Sequence, residues 1–110
     1  MWPHPDIPVP LPGSIAVEVE GDRRVLVLRG DLDAAVVVAF EAAQRAEAVV
    51  VDAIDASAVT FMSSRGVAVM LLTVEASRAA GRSPVLRASS HPVDRLLQMS
   101  GIEDVFQRPE

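Results

Sequence analysis

The chain has 110 residues, half of them apolar, and a formal net charge of −5, and all ten of its basic residues are arginine. This length and composition are typical of one globular domain. The absence of cysteine excludes disulfides and thiolate chemistry, and the scattered arginines argue against nucleic acid or an anionic membrane surface as a partner. His4 and His91 are far apart and each lies beside a proline, so no metal site is expected.

Residues 1–13 form a proline-rich N-terminal arm, because five of the eight prolines fall there. Proline fixes φ and lacks an N–H donor, which excludes an internal strand or helix. We expect an extended, flexible arm, followed by one folded domain over residues 14–110. The N-terminus lacks the pattern of a signal peptide, and no apolar run approaches the ~20 residues of a membrane span. We therefore expect a cytoplasmic protein without membrane insertion.

The first half of the domain predicts a hairpin and a helix. Alternation of apolar residues from Ile15 to Val19 indicates a half-buried strand, and the Gly21-Asp22 turn leads to a second strand over residues 25–28. Asp33 is a candidate N-cap for a helix that runs to about residue 46. The apolar face of that helix comprises Val36, Val37, Phe40 and Ala43.

The second half alternates strands and helices. Residues 48–54 are apolar except for Asp52, which predicts a central strand covered on both faces. A second helix begins near Ser63 or Ser64 and ends before Gly81, and residues 84–86 form the next strand. Pro92 opens a third helix, Gly101 ends it, and residues 105–106 form a short terminal strand. The predicted inward-facing residues of these helices are Val67, Met70, Leu71, Val74, Val93, Leu96, Leu97 and Met99.

This order, β-β-α-β-α-β-α, predicts an α/β fold with a small, mostly parallel sheet. The chemistry of an enzyme is missing from it: there is no phosphate-binding glycine loop and no histidine placed as a base. Asp31 and Asp33 are interpreted as turn and cap residues, and Asp55 as the end of a strand. Asp52 is either a strand-end residue or a functional carboxylate. We predict no catalytic residue, no metal and no cofactor.

The segment that leads into the second helix carries the most information. A helix N-terminus gathers unpaired N–H groups and a partial positive charge. A hydroxyl there either caps the helix or makes a favourable site for an added phosphate. Ser63 and Ser64 occupy this place, directly before Arg65 and Gly66.

Residues 49–69, which include the run Phe61-Met62-Ser63-Ser64-Arg65-Gly66, resemble the signature of the STAS domain. This family comprises sulfate-transporter domains and bacterial anti-sigma factor antagonists. Gly30-Asp31-Leu32-Asp33 resembles the family's turn before its first helix, and residues 92–106 resemble its C-terminal helix and ending. The resemblance covers about residues 14–107.

The resemblance implies a mostly parallel sheet with helices packed mainly on one side. It also implies a stand-alone anti-sigma factor antagonist, which regulates transcription, as in stress responses, by binding an anti-sigma factor that in such systems is often a serine kinase. The implied partner-binding or regulatory loop spans residues 60–66. It comprises Thr60, Phe61, Met62, Ser63, Ser64, Arg65 and Gly66.

One position departs from the family pattern. The family's switch reads Asp-Ser-Ser-Gly and its second serine accepts phosphate, whereas Arg65 stands at that acceptor position here. Three alternatives stay open: an antagonist that binds without phosphorylation there, a switch that uses Ser64 or Ser63, and a scaffold or anion- or nucleotide-sensing module of a larger complex. Apolar residues on a sheet edge also leave a homodimer open.

Overall fold

The computed structural model describes residues 12–44 and 48–109 of the chain. The elements follow the predicted order. They are β1 (Ser14–Glu20), β2 (Arg23–Leu32), α1 (Ala34–Gln44), β3 (Ala53–Met62), α2 (Ser64–Ala79), β4 (Val85–Ser89), α3 (His91–Met99) and a 3₁₀ turn (Glu103–Val105).

The four strands form one sheet in the order β1-β2-β3-β4. β1 pairs with β2 as an antiparallel hairpin, whose turn uses Gly21 at φ 65°. The other two pairings are parallel, with Leu26 opposite Ile54 and Ile54 opposite Leu86. The predicted α/β class with a mostly parallel sheet is therefore confirmed.

The three helices cover one face of this sheet. Leu26 and Leu28 of β2 are fully buried in the same cluster as Val37 of α1, Met70 of α2 and Leu97 of α3. Val25 and Val27 alternate with those leucines and belong to a separate, smaller cluster on the other face. Burial of each large apolar side chain stabilises the fold by roughly 1.5–3 kcal/mol, so the helix-covered face holds most of the core energy.

The predicted caps are present in the structure. The N–H of Val36 donates to Asp33 Oδ1 at 3.0 Å, so Asp33 is the side-chain N-cap of α1. Gly81 follows the end of α2 at φ 83°, a left-handed conformation that glycine adopts without steric cost. The predicted end of the first helix near residue 46 lies outside the described residues, as does most of the proline-rich arm. Pro12 is described, and it forms an isolated bridge with Asp31.

The prediction of β3 was wrong at both ends. The strand begins at Ala53 rather than at residue 48, and it extends to Met62, through the first residues of the predicted loop. In the stretch before it, the Val51 N–H donates to the buried Ser77 Oγ of α2 at 2.9 Å. Asp52 bonds to both neighbouring strands, since its N–H donates to the Arg24 carbonyl at 2.8 Å and its carbonyl accepts the Val85 N–H at 3.2 Å. An apolar run predicts that a segment is buried, but it does not show whether the buried segment is a strand or a loop.

Other expectations also need correction. Val19 is 67% exposed, because it pairs with Arg24 at the turn end of the hairpin. Met99, in the last turn of α3, is 78% exposed. The predicted terminal strand is a 3₁₀ turn followed by a single bridge between Val85 and Gln107. Asp55 lies inside β3 rather than at its end.

Candidate functional site

The site lies where the carboxyl ends of β2 and β3 meet the start of α2. Asp31 and Leu32 of β2 pair with Phe61 and Met62 of β3. One residue later, the Ser63 N–H donates to the Leu32 carbonyl at 3.0 Å. This bond holds the chain against β2 until α2 begins, so the first turn of α2 stands at the edge of the sheet.

Ser63 is the N-cap residue of α2, with extended backbone angles of φ −76° and ψ 165°. Its carbonyl accepts the Gly66 N–H at 3.0 Å and the Val67 N–H at 3.4 Å. Its hydroxyl makes no capping bond, and the oxygen is buried without a hydrogen-bond partner in the described part of the chain. Ser63 therefore occupies the predicted N-cap position, but its side chain does not cap the helix.

Ser64 and Arg65 form the exposed part of the first turn. The Arg65 Nη2 lies 3.1 Å from the Glu41 Oε1 on α1, and the two side chains are 57% and 43% exposed. Such an exposed pair contributes about 0–1 kcal/mol, so it orients Arg65 more than it stabilises the fold. Sequence reasoning missed Glu41, since its position 24 residues from Arg65 carries no signal in the local pattern.

The other predicted site residues divide by exposure. Phe61 is 52% exposed and Thr60 is exposed, whereas Met62 is 5% exposed and joins the core. Gly66 is buried against Met62, and a Cβ at Gly66 would lie 2.6 Å from the Met62 Cγ. The surface that a partner can touch therefore comprises Thr60, Phe61, Ser64 and Arg65, which we call the α2-start patch.

Asp31 belongs to the same end of the sheet, although the sequence analysis interpreted it as a turn residue. It is the next-to-last residue of β2, and its Oδ1 is buried without a hydrogen-bond partner among the described residues. Gly13 lies directly against it, since a Cβ at Gly13 would fall 1.9 Å from the Asp31 carbonyl oxygen. The arm thus joins the domain next to the α2 start.

Asp52, the candidate functional carboxylate, and Asp55 both accept hydrogen bonds from neighbouring parts of the fold. Asp52 accepts the Arg24 N–H at 2.8 Å and Arg82 Nη1 at 2.7 Å, and these two donors hold the pKa of Asp52 below its usual range. Burial alone would raise the pKa of Asp55. Hydrogen bonds from the Ser57 hydroxyl, the Ser57 N–H and Arg87 lower it by more than burial raises it, so the pKa of Asp55 is also below its usual range.

These depressed pKa values predict acid sensitivity. A carboxylate with a lowered folded pKa stabilises the protein above its ordinary pKa of 3.8, and this contribution is lost as the pH falls through the folded pKa. We expect the free energy of unfolding to fall with pH below about 4. Urea denaturation between pH 3 and pH 7 measures it. Asp55→Asn should flatten that fall, and a variant that keeps the parental slope would contradict the assignment.

The described part of the chain meets the requirements of neither a membrane-spanning helix nor a metal site. In residues 12–44 and 48–109, no helix has the length and apolar character needed to cross a membrane. Over the same residues, no group of three or more His, Cys, Asp or Glu side chains is arranged to hold a metal ion.

The family model described as "Mlab, STAS domain" matches residues 15–107 of this chain. The chain belongs to the STAS domain family. This STAS domain is also similar to the crystal structure of an anti-sigma factor antagonist from Mycobacterium paratuberculosis, with 22% sequence identity and a TM-score of 0.64. The similarity covers 88% of this chain and 85% of that one, and it shows a shared fold. No curated protein matches the chain. The resemblance predicted from the sequence is confirmed.

Proposed function

We propose that this STAS domain is an anti-sigma factor antagonist, which binds an anti-sigma factor and so regulates transcription without catalysing a reaction. The observation that carries the proposal is the α2-start patch. It comprises an aromatic ring that is 52% exposed and, three and four residues later in the sequence, an exposed serine and an exposed arginine in the first turn of a helix. Aromatic residues and arginine are enriched in protein interfaces and dominate their binding energy.

Exposure favours Ser64 over Ser63 as the acceptor if the anti-sigma factor is a serine kinase. Ser64 is exposed, whereas the Ser63 oxygen is buried. A phosphate on Ser64 would add about two negative charges next to Arg65 and would compete with Glu41 for its guanidinium. Incubation with the kinase and ATP, followed by mapping of modified residues, tests this assignment. Phosphate on neither serine would leave an antagonist that binds without this switch.

A second candidate is a scaffold or anion-sensing module in a larger complex. The observation that favours it is Arg65, because a cation at a helix N-terminus attracts anions and cannot accept phosphate as serine does. Thermal melts with phosphate, sulfate and ATP separate the two candidates. A melting temperature that does not change with any of them counts against the second.

Charge changes in the α2-start patch should weaken the complex with the anti-sigma factor. Arg65→Glu reverses a charge and repels Glu41, and Ser64→Asp adds a negative charge in the same turn. We expect each variant to lose at least about tenfold in affinity, or about 1.4 kcal/mol. The partner is first recovered from a lysate of the source cells and identified by mass spectrometry, and titration calorimetry then gives the affinities.

The matched control is Arg95→Glu, which makes the same charge change at an exposed position of α3. It should bind as the parent protein does. If Arg65→Glu and Ser64→Asp also bind as the parent does, the α2-start patch is not the binding site and the proposal fails.

A further inference from the structure

An open groove of about 500 Å³ runs between α1 and α2. Its lining is mostly apolar and includes Phe40 of α1, Val49, and Val69, Leu72 and Ala76 of α2. Volumes of roughly 300–1,000 Å³ are typical of surfaces that receive a ligand. The groove lies on the side of α2 that continues from the α2-start patch, because Arg65 reaches Glu41 at its rim.

The two walls of the groove differ in how they meet the core. Val37 is the one fully buried residue of α1 within its described span. On the opposite wall, Leu72 is 60% exposed. Exposed apolar surface costs about 25 cal/mol per Å² relative to buried surface, so an apolar occupant would gain free energy from covering Leu72.

Among the described residues that line the groove, both charged side chains are acidic. Glu41 stands on the α1 wall and Glu75 on the α2 wall, and no arginine is among the lining residues in the described part of the chain. Arg65 neutralises Glu41 only in part, through an exposed contact. The chain as a whole has a net charge of −5. An occupant with basic residues on both sides of an apolar stripe would complement this pattern.

The length of the groove limits the occupant. The α2 residues that line it extend from Val69 to Ala79, and ten residues of helix rise about 15 Å. This distance matches about three turns of a second helix, which presents apolar side chains at i, i+3, i+4 and i+7.

We propose that the α1–α2 groove docks a basic amphipathic helix of the partner protein, with its apolar stripe against Leu72 and its cations on Glu41 and Glu75. This inference rests on the proposed function, since it supplies a second contact for the same partner. The partner then binds at two adjoining places, the α2-start patch and the groove.

The test uses an 18-residue helical peptide library displayed on phage, selected against the full chain. The enriched peptides should carry Lys or Arg on both sides of an apolar stripe.

In spectra of the ¹⁵N-labelled chain, the best peptide should shift amides of residues 40–44 and 69–79. Leu72→Ser and Glu75→Arg should each weaken the peptide about tenfold, and a peptide with Glu in place of its Lys should regain affinity for Glu75→Arg. Glu103→Arg, an exposed control in the 3₁₀ turn, should have no effect.

Several results would overturn the inference. They are enrichment of no peptide, enrichment without a preference for cations, and amide shifts that fall elsewhere. Groove amides that shift on dilution of the chain alone would show that a second copy fills the groove. The anti-sigma factor separates the two sites. If Leu72→Ser and Glu75→Arg bind it with full affinity while Arg65→Glu binds it weakly, the groove is excluded as a binding site and the proposed function stands. If Leu72→Ser and Glu75→Arg bind it weakly while Arg65→Glu binds with full affinity, the groove is the binding site and the α2-start patch is not.

Discussion

Replacement of Gly66 by valine should lower the free energy of unfolding by about 2 kcal/mol, the usual size of an overpacking penalty in a closed core. The new Cβ would lie 2.6 Å from the Met62 Cγ and 3.2 Å from its sulfur. Met62 cannot swing away freely, because it is itself 5% exposed in the core. The strain would fall on the first turn of α2, where Ser64 and Arg65 are displayed. Urea denaturation followed by circular dichroism measures the loss.

Two further variants isolate the clash from the general effect of valine in a helix. Ala68→Val places the same side chain at an exposed position two residues further along α2, and it should cost about 0.5 kcal/mol or less. Met62→Ala should remove most of the penalty of Gly66→Val, so that the double variant is more stable than the sum of the single changes predicts. Equal losses for Gly66→Val and Ala68→Val, or strict additivity with Met62→Ala, would exclude the clash.

The second large effect should come from Ser77, a fully buried polar residue of α2. Its Oγ accepts the Val51 N–H at 2.9 Å and donates to the Thr73 carbonyl at 2.6 Å. Ser77→Ala leaves the Val51 N–H buried without a partner, and we expect a loss of about 2 kcal/mol, within the range for a stranded buried donor. Chemical denaturation at neutral pH gives this value, and hydrogen exchange at Val51 should accelerate because its protecting bond is gone.

Thr73→Val provides the matched control on the same face of α2. The Thr73 hydroxyl donates at 2.8 Å to the Val69 carbonyl, four residues earlier, so no bond outside the helix depends on it. Valine preserves its shape, and the change should cost less than about 0.5 kcal/mol. If Ser77→Ala costs no more than Thr73→Val, the bond to Val51 does not hold the connection before β3.

Local pattern sufficed for much of the fold. The alternation of Ile15 and Val17 in β1, the Asp33 cap and the start of α2 at Ser63 or Ser64 follow from rules that act over a few residues, and the structure shows each of them. The errors arose where distant residues decide the outcome. Val51 is buried against α2 just before β3, and its hydrogen-bond partner, Ser77, lies 26 residues away in the sequence.

The candidate site shows the same division. Residues 60–66 were located by their resemblance to a family signature, and the chain's membership of that family is confirmed. The pattern did not distinguish the buried Ser63 oxygen from the exposed Ser64, because neighbouring serines look alike in sequence. The sequence pattern also did not predict that Glu41 lies beside Arg65 or that Asp31 pairs with Phe61, because both pairs depend on tertiary packing.

The end of the chain also bears on solubility. β4 is an outer strand, and unpaired backbone groups on an outer strand invite other chains to add to the sheet and aggregate. The Leu86 N–H is occupied by the Gln107 carbonyl at 2.7 Å, so the segment after α3 shields part of this strand. Removal of Gln107 and the residues after it would therefore expose the backbone of β4 and should promote aggregation. An affinity tag that replaces these residues should have the same effect.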